Sequence, residues 1–314
     1  MRAVVFAYSN VGDRCLRVLT AAGVEVPLVV THPDAPGERL WYARVADTAT
    51  ELGLPVRYLA DPADSALHAR AAALAPDFIF SFYCRSMLPP ALLALSRCGG
   101  FNMHGSLLPA FRGRAPTNWA VLKGAPVTGA TLHEMAAKPD AGAIIDQQAV
   151  PILPDDTARQ VFDKVCVAAE VVLWRSLPGL LDGSAPRRPN PLEQGSYFGG
   201  RRAEDGRIDF SRPAAEVYNL VRAVAPPYPG AIADIGGRRF ILAAARRAPD
   251  AAPARGATPG LYRLGDQVRA LCGDGGQLRV LELLLENEPA TPEQIRLLLP
   301  ELPLPELPIT QAPR

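Results

Sequence analysis

Three side chains in this sequence have the types and spacing of a reaction centre. Asn102 and His104 lie in FNMHGSLLPAFRGRAP (residues 101–116), and Asp140 lies in LHEMAAKPDAGAII (residues 132–145). Asn102 and His104 are two residues apart at the end of an apolar run that reads as a strand, so alternation turns both toward one face. An amide N–H can hold a developing oxyanion, and a neutral imidazole can take a proton from an attacking amine. A carboxylate at 140 can orient that imidazole and stabilise it once protonated. These are the parts of an acyl-transfer centre that needs no metal and no covalent intermediate. Each also has a plainer reading alone: a structural His, a strand-end Asn, and a solvated turn Asp in KPDAG.

Such groups need strands that end side by side, and the upstream pattern predicts them. Strands are expected at Arg2–Ala7, Val26–Thr31, Val56–Tyr58, Phe78–Phe82 and Gly100–Met103. Helices are expected from a turn at Asn10–Gly12 toward Gly23, over Arg39–Leu52 and Ser65–Leu74, and from Pro89. This alternation predicts an α/β fold, a Rossmann-like doubly wound and mostly parallel sheet. Ligands in such sheets bind beyond the strand C-termini, where Asn102 and His104 lie. The first turn, AYSNVGDR, lacks the G-x-G-x-x-G fingerprint of a dinucleotide enzyme.

Thr128–His133 and Ala143–Ile152 read as strands flanking Asp140, and Asp156 or Thr157 as the cap of a helix from Ala158 to Leu177. Its apolar positions Val161, Phe162, Val165, Ala168, Ala169 and Val172 recur at helical spacing and read as core. Residues 182–195 are turn-rich. Beyond them come short strand-like runs at Arg207–Phe210, Ala231–Ile235, Arg239–Ala243, Gly260–Arg263, Val268–Leu271 and Leu278–Leu283, with one helix near Ala214–Val224. That pattern predicts a small β-barrel. A short helix over Thr291–Leu299 precedes a Leu/Pro-rich end. The expected division is a catalytic domain over 1–185, a linker over 186–204 and a β domain with a Pro-rich tail over 205–314.

The chain has 314 residues, 48% hydrophobic and 21% charged, as in a soluble globular protein. A net charge of +1 makes no electrostatic case for nucleic acid. The basic residues are almost all Arg, with Lys only at 123, 138 and 164, a matter of composition. Cys15, Cys84, Cys98, Cys166 and Cys272 are dispersed and form no CxxC. A zinc site and a disulfide framework are therefore not expected, and free thiols fit the cytoplasm. The N-terminal apolar run is too short for a signal sequence, and no run is long enough to insert in a membrane.

Asn102-x-His104, the following Ser106–Pro109 and the later Asp140–Gly142 resemble the folate-dependent formyltransferases. VVFAYSNVG (4–12), THPDAPGE (31–38), PDFIFSFYCR (76–85), RAPTNW (114–119) and NLVRAVAPPYPGA (219–231) add to the likeness, which spans roughly residues 1–280. HGSLLP and RGRAP are most similar to the sugar-nucleotide branch, and above all to the enzyme of polymyxin resistance and lipid A modification that formylates UDP-4-amino-4-deoxy-L-arabinose. The alternative is the methionyl-tRNA branch, which usually has HASLLP and RGAAP.

The resemblance implies that Asn102, His104 and Asp140 are catalytic and that the second domain is an open, OB-like barrel. It implies 10-formyltetrahydrofolate as donor, held by backbone groups of Ser86, Met87 and Leu88 and of Ala136, Ala137, Lys138, Pro139 and Asp140, with no metal. The expected partners are folate and a UDP-linked amino sugar. Arg112 and Arg114 offer guanidinium forks to the nucleotide phosphates, or else lie on a solvated loop. Asn118, with Trp119, is placed toward the sugar. YFGGRR (197–202) resembles an FGRR segment of the sugar branch, with one extra Gly. Tyr197 there would stack on uracil and Arg201 would meet phosphate. Arg222 matches a motif that links the two domains.

Overall fold

The computed structural model describes residues 1–34, 40–249, 251 and 256–303. It divides into two compact units. The first is Met1–Ala120, Pro126–Ile152 and Gln160–Gly200, and the second is Val121–Ala125, Leu153–Arg159 and the chain from Arg201.

The first unit is built on β1 (Arg2–Ala7), β2 (Glu25–Thr31), β3 (Val56–Tyr58), β4 (Phe78–Phe82) and β5 (Gly99–His104). Between them run α1 (Ser9–Ala21), α2 (Val45–Glu51), α3 (Ser65–Leu74) and α4 (Pro90–Leu93). The short strand β6 (Arg112–Gly113), α5 (Pro116–Leu122), β7 (Val127–Glu134), β8 (Ile144–Pro151), α6 (Ala158–Asp182) and β9 (Tyr197–Phe198) follow. The main sheet has the order β3-β2-β1-β4-β5-β7-β8. β3 to β5 pair in parallel, while β7 runs antiparallel to both β5 and β8. This is the doubly wound sheet expected, extended by an antiparallel hairpin.

Helices cover the central strands, so these read as continuous apolar runs. Phe6, Phe78, Phe80, Phe82 and Phe101 are fully buried, and Phe80 and Phe82 stack at 5.4 Å between centroids. Polar residues enter the sheet next to this block, on β5.

The local expectations fail where tertiary packing overrides pattern. Arg39, the start of the helix expected over Arg39–Leu52, lies outside the described residues; from residue 40 the helix begins only at Val45, and Trp41 packs edge-on against Phe162 at 5.6 Å instead. α6 continues past Leu177 and through Pro178 to Asp182, since its buried stripe extends to Leu180. The stretch expected as a linker is structured and belongs to the first unit as far as Gly200. There Arg188 bridges Ile144, and β9 pairs in parallel with β6. The later part of THPDAPGE, from residue 35, and the tail from residue 304 lie outside the described residues.

The second unit carries α7 (Ala214–Val224), β10 (Ala231–Ile235), β11 (Arg238–Arg247), β12 (Gly260–Leu264), β13 (Gln267–Leu271), β14 (Gln277–Leu285), β15 (Glu288–Pro289) and α8 (Pro292–Leu298). The strands form an antiparallel sheet in the order β10-β11-β14-β13-β12, with β15 on β14. Val217, Tyr218, Val221 and Val224 of α7 share a buried cluster with Phe240, Leu242, Leu278 and Leu283 of the sheet. This is the small β domain expected. The run Arg207–Phe210 is not a strand: a short turn over Ala203–Gly206 leads into a single bridge from Arg207 to Ile232.

Candidate active site

The antiparallel register of β5 and β7 sets Asn102 directly opposite His133. Residues so paired share a face, and alternation adds His104 to it. The loop that joins β7 to β8 carries Asp140 to the same place. Asp140 Oδ1 lies 3.5 Å from His104 Nδ1 and 3.6 Å from His133 Nε2. The three residues picked from the sequence therefore meet, and a second histidine meets them.

Each imidazole has one nitrogen fixed by a backbone carbonyl. His104 Nε2 is 2.9 Å from the Phe111 carbonyl oxygen, and His133 Nδ1 is 2.8 Å from that of Glu134. A carbonyl only accepts, so in the neutral rings these are the N–H nitrogens. The unprotonated nitrogen of His104 is then Nδ1, facing Asp140. That of His133 is Nε2, which stands 3.0 Å from Asn102 Nδ2 and accepts its N–H. The Phe111 carbonyl, and not Asp140, thus sets the tautomer of His104. Asp140 is left to act through its charge.

The electrostatics follow from burial and these neighbours. Burial holds His104 below the usual histidine pKa, and the Asp140 charge and Phe111 carbonyl only partly offset it. Burial would raise Asp140, but the rings of His104 and His133 and the Gly113 N–H, 2.8 Å from Oδ2, bring it to about 2. A neutral base beside a permanent carboxylate results. Phe111, whose carbonyl holds His104 Nε2, and Asp140, which faces Nδ1, both have positive φ, 56° and 49°. That conformation costs a non-glycine residue about 1–2 kcal/mol.

The surroundings make that strain sustainable. Asn190 Nδ2 donates to the carbonyls of Asp140 and Gly142, pinning the loop. Ser106 Oγ, fully buried, donates to the Ala110 carbonyl at 2.6 Å. Thr131 Oγ1 donates to the Ser106 carbonyl and accepts from the Leu108 N–H and from Gln147 Nε2. Gly113 has φ 96°, and a Cβ there would collide with the Phe198 carbonyl. At Gly105 a Cβ would collide with the Tyr83 hydroxyl. The glycine of HGSLLP is thus a packing requirement one residue from His104.

The other picked residues sit as follows. Ser86 is half-buried, Met87 exposed, and Leu88 buried in the core with Val4 and Phe6. Ala136, Ala137 and Lys138 are exposed, and Pro139 is half-buried ahead of Asp140. Arg112 is buried, and its Nη2 donates to the Leu192 carbonyl, so it braces the loop from inside. Arg114 is exposed, beside Gly200. Asn118 is half-buried on α5. Tyr197 is exposed on β9, opposite Arg112. Phe198, next to it, stacks between Phe111 and Trp119, at 5.6 and 4.6 Å. Arg201, in the second unit, donates to the Asp205 carbonyl.

The sequence reading missed His133. Its only signal was its place at the end of an expected strand seven residues before Asp140, and nothing local revealed that this strand pairs with β5.

Residues 1–177 match the formyl transferase family, and residues 201–295 match the formyl transferase C-terminal domain. The chain belongs to the formyl transferase family. Solved structures share its fold across both units. WlaRD, a sugar 3N-formyl transferase solved in the presence of dTDP and 5-N-formyl-THF, is 16% identical with a TM-score of 0.70, over 92% of this chain and 98% of its own. An N-formyltransferase from Helicobacter canadensis, in complex with folinic acid and dTDP-3-aminofucose, is 18% identical with a TM-score of 0.70, over 89% and 98%. HypX from Aquifex aeolicus, in complex with tetrahydrofolic acid, is 19% identical with a TM-score of 0.62, over 90% of this formyl transferase but 44% of the longer protein. Such identities establish a shared architecture. What this formyl transferase acts on has to be argued from its own site.

Proposed function

We propose that this formyl transferase moves a formyl group from 10-formyltetrahydrofolate to the amine of a nucleotide-linked amino sugar. The observation that carries the reading is the buried His104, whose lone-pair Nδ1 faces Asp140 at 3.5 Å beside the Asn102 amide. The donor supplies an activated formyl carbon. An amine attacks it only when neutral, and loses a proton as it does so. His104 Nδ1 takes that proton, and the Asp140 charge stabilises the imidazolium formed; the proton is then given to the folate nitrogen as the bond from that nitrogen to the formyl carbon breaks and tetrahydrofolate leaves. One N–H of Asn102 is engaged by His133, and the other is left to meet the formyl oxygen as it gains charge.

The folate segments are Ser86–Leu88 and Ala136–Asp140. The exposure of Met87 and of Ala136–Lys138 supports this, since it leaves backbone groups there open to a ligand. Arg114 is the guanidinium at the site best placed for a nucleotide phosphate, because Arg112 is turned inward. Tyr197 serves as a platform for the base, and Asn118 completes the acceptor side. The HGSLLP and RGRAP segments favour UDP-4-amino-4-deoxy-L-arabinose as acceptor, and with it a place in lipid A modification. The relatives solved with dTDP or a dTDP-amino sugar favour the same class of substrate.

The test is formyl transfer by the purified chain from 10-formyltetrahydrofolate. The acceptors are UDP-4-amino-4-deoxy-L-arabinose, a dTDP-linked 3-amino sugar and methionyl-tRNA, each followed by mass spectrometry. Formylated UDP-sugar is expected. Product only from the dTDP-sugar would correct the acceptor, and product only from methionyl-tRNA would overturn the sugar reading.

A further inference from the structure

We propose that His133 is a positioning residue for this reaction, whose unprotonated Nε2 fixes which end of the Asn102 amide faces the formyl oxygen. The inference rests on the formyl-transfer reading above and adds a residue to it. The two ends of an asparagine amide have nearly the same shape, so its partners alone decide which way it is turned. His133 is only 2% exposed. Its Nδ1 is committed to the Glu134 carbonyl at 2.8 Å, so the neutral ring presents a lone pair at Nε2. At 3.0 Å from the Asn102 side chain, that lone pair accepts N–H and repels the amide oxygen. Asp140 Oδ1, 3.6 Å from Nε2, lies beyond hydrogen-bond range. With its nitrogen held on His133, Asn102 keeps a second N–H for the charge that develops in the reaction. With the amide turned over, an oxygen would replace the nitrogen at this position and the N–H pair would point elsewhere.

The arrangement has a spectroscopic signature independent of turnover. His104 and His133 are held in opposite tautomers, Nε2–H and Nδ1–H. The chain has only four histidines, so ¹⁵N-histidine labelling of the whole protein gives an assignable long-range ¹H–¹⁵N spectrum. Near neutral pH, His133 is expected to show a protonated Nδ1 and a bare Nε2. A proton on Nε2 overturns the proposal.

Kinetics then separate positioning from mere packing. His133→Asn keeps a donor near Nδ1 but removes the acceptor, and is expected to lower kcat by about 10²-fold, as loss of an oxyanion donor does, with KM for both substrates little changed. His133→Gln restores an oxygen near the Nε2 position and is expected to recover most of that loss. Asn102→Ala made in the His133→Asn background should cost little more than either change alone, because both remove one interaction. Losses that multiply, or a Gln variant no better than Asn, overturn the proposal. Should the His133 variants fail to fold, the wild-type spectrum still decides it. If wild-type protein formylates no acceptor, the function reading fails while the tautomer result stands on its own.

Discussion

The polar residues of the two units live under opposite rules. In the first unit His104, His133 and Asp140 are withdrawn from water, and each is tied to at least one backbone group. In the second unit Arg279 on β14 stands directly opposite Arg246 on β11 and Arg269 on β13. Three like charges thus lie in a row across neighbouring strands, at half-buried or exposed positions. Arg246 pairs with Asp155 at 3.2 Å, but among the described residues no carboxylate pairs with Arg269 or Arg279. The contrast teaches what makes a polar cluster a site. Groups locked by backbone partners cannot relax when one of them changes. Groups standing in water can.

The largest effect is expected at the amide that the locked His133 holds. Asn102→Ala should lower kcat by about 10²–10³-fold, the usual cost of losing an oxyanion donor. It should also cost about 1–3 kcal/mol of stability, because the buried His133 Nε2 loses its donor. A fall in kcat below tenfold would put Asn102 outside the reaction and blur the contrast between the units.

Asp140→Asn tests the electrostatic half of the site. The Asp140 charge raises the His104 pKa against the burial that lowers it. Removing that charge lowers it further, so the acid limb of kcat/KM should move to lower pH while the plateau falls. The plateau loss belongs within the ~10²–10⁴ that general base catalysis contributes. Stability carries the matching sign. With a carboxylate held at about 2 in the fold and near 3.9 when unfolded, its stabilisation is complete above pH ~4 and lost as pH falls toward 2. The Asn variant should lack that acid-dependent share. An acid limb that moves upward, or stays put, would mean that Asp140 acts on His104 through geometry alone.

How much of this was legible in the sequence follows the same divide. The buried apolar runs Arg2–Ala7 and Phe78–Phe82 and the helix Ala214–Val224 fall where pattern places them, because burial on both faces or one leaves a local trace. Asn102, His104 and Asp140 were legible as types at a spacing. His133, the Phe111 carbonyl and the Gly113 N–H were not. They depend on an antiparallel pairing and on two positive-φ residues that no local rule announces. Gly105 shows the middle case. Its presence in HGSLLP is plain in the sequence, while its reason, the Tyr83 hydroxyl, lies more than twenty residues away.

The second unit also has polar residues under the first unit's rule, Arg222 among them. Arg222 is buried on α7, where Nη1 donates to the Asp156 carbonyl at 2.8 Å and Nη2 to Asn219 Oδ1 at 2.7 Å. Arg222→Met keeps the length but strands those acceptors. It should cost about 1–3 kcal/mol in denaturant or thermal unfolding. A neutral result would place Arg222 with the exposed arginines despite its burial.

Arg279→Glu sharpens the contrast from the other side. It turns both of its cross-strand like-charge pairs, with Arg246 and Arg269, into opposite-charge pairs, each worth about 0.2–1 kcal/mol. Exposure and salt screening keep the gain at the low end. A stabilisation of at most about 1 kcal/mol is expected by thermal unfolding at low salt. It should shrink at high salt, and formyl transfer should be unchanged. Wild-type protein should gain slightly from added salt, because screening relieves the row. A variant that loses activity at unchanged stability would mean that the arginine row works with an anion during turnover. The distinction between a locked site and a tolerant surface would then fail for this face.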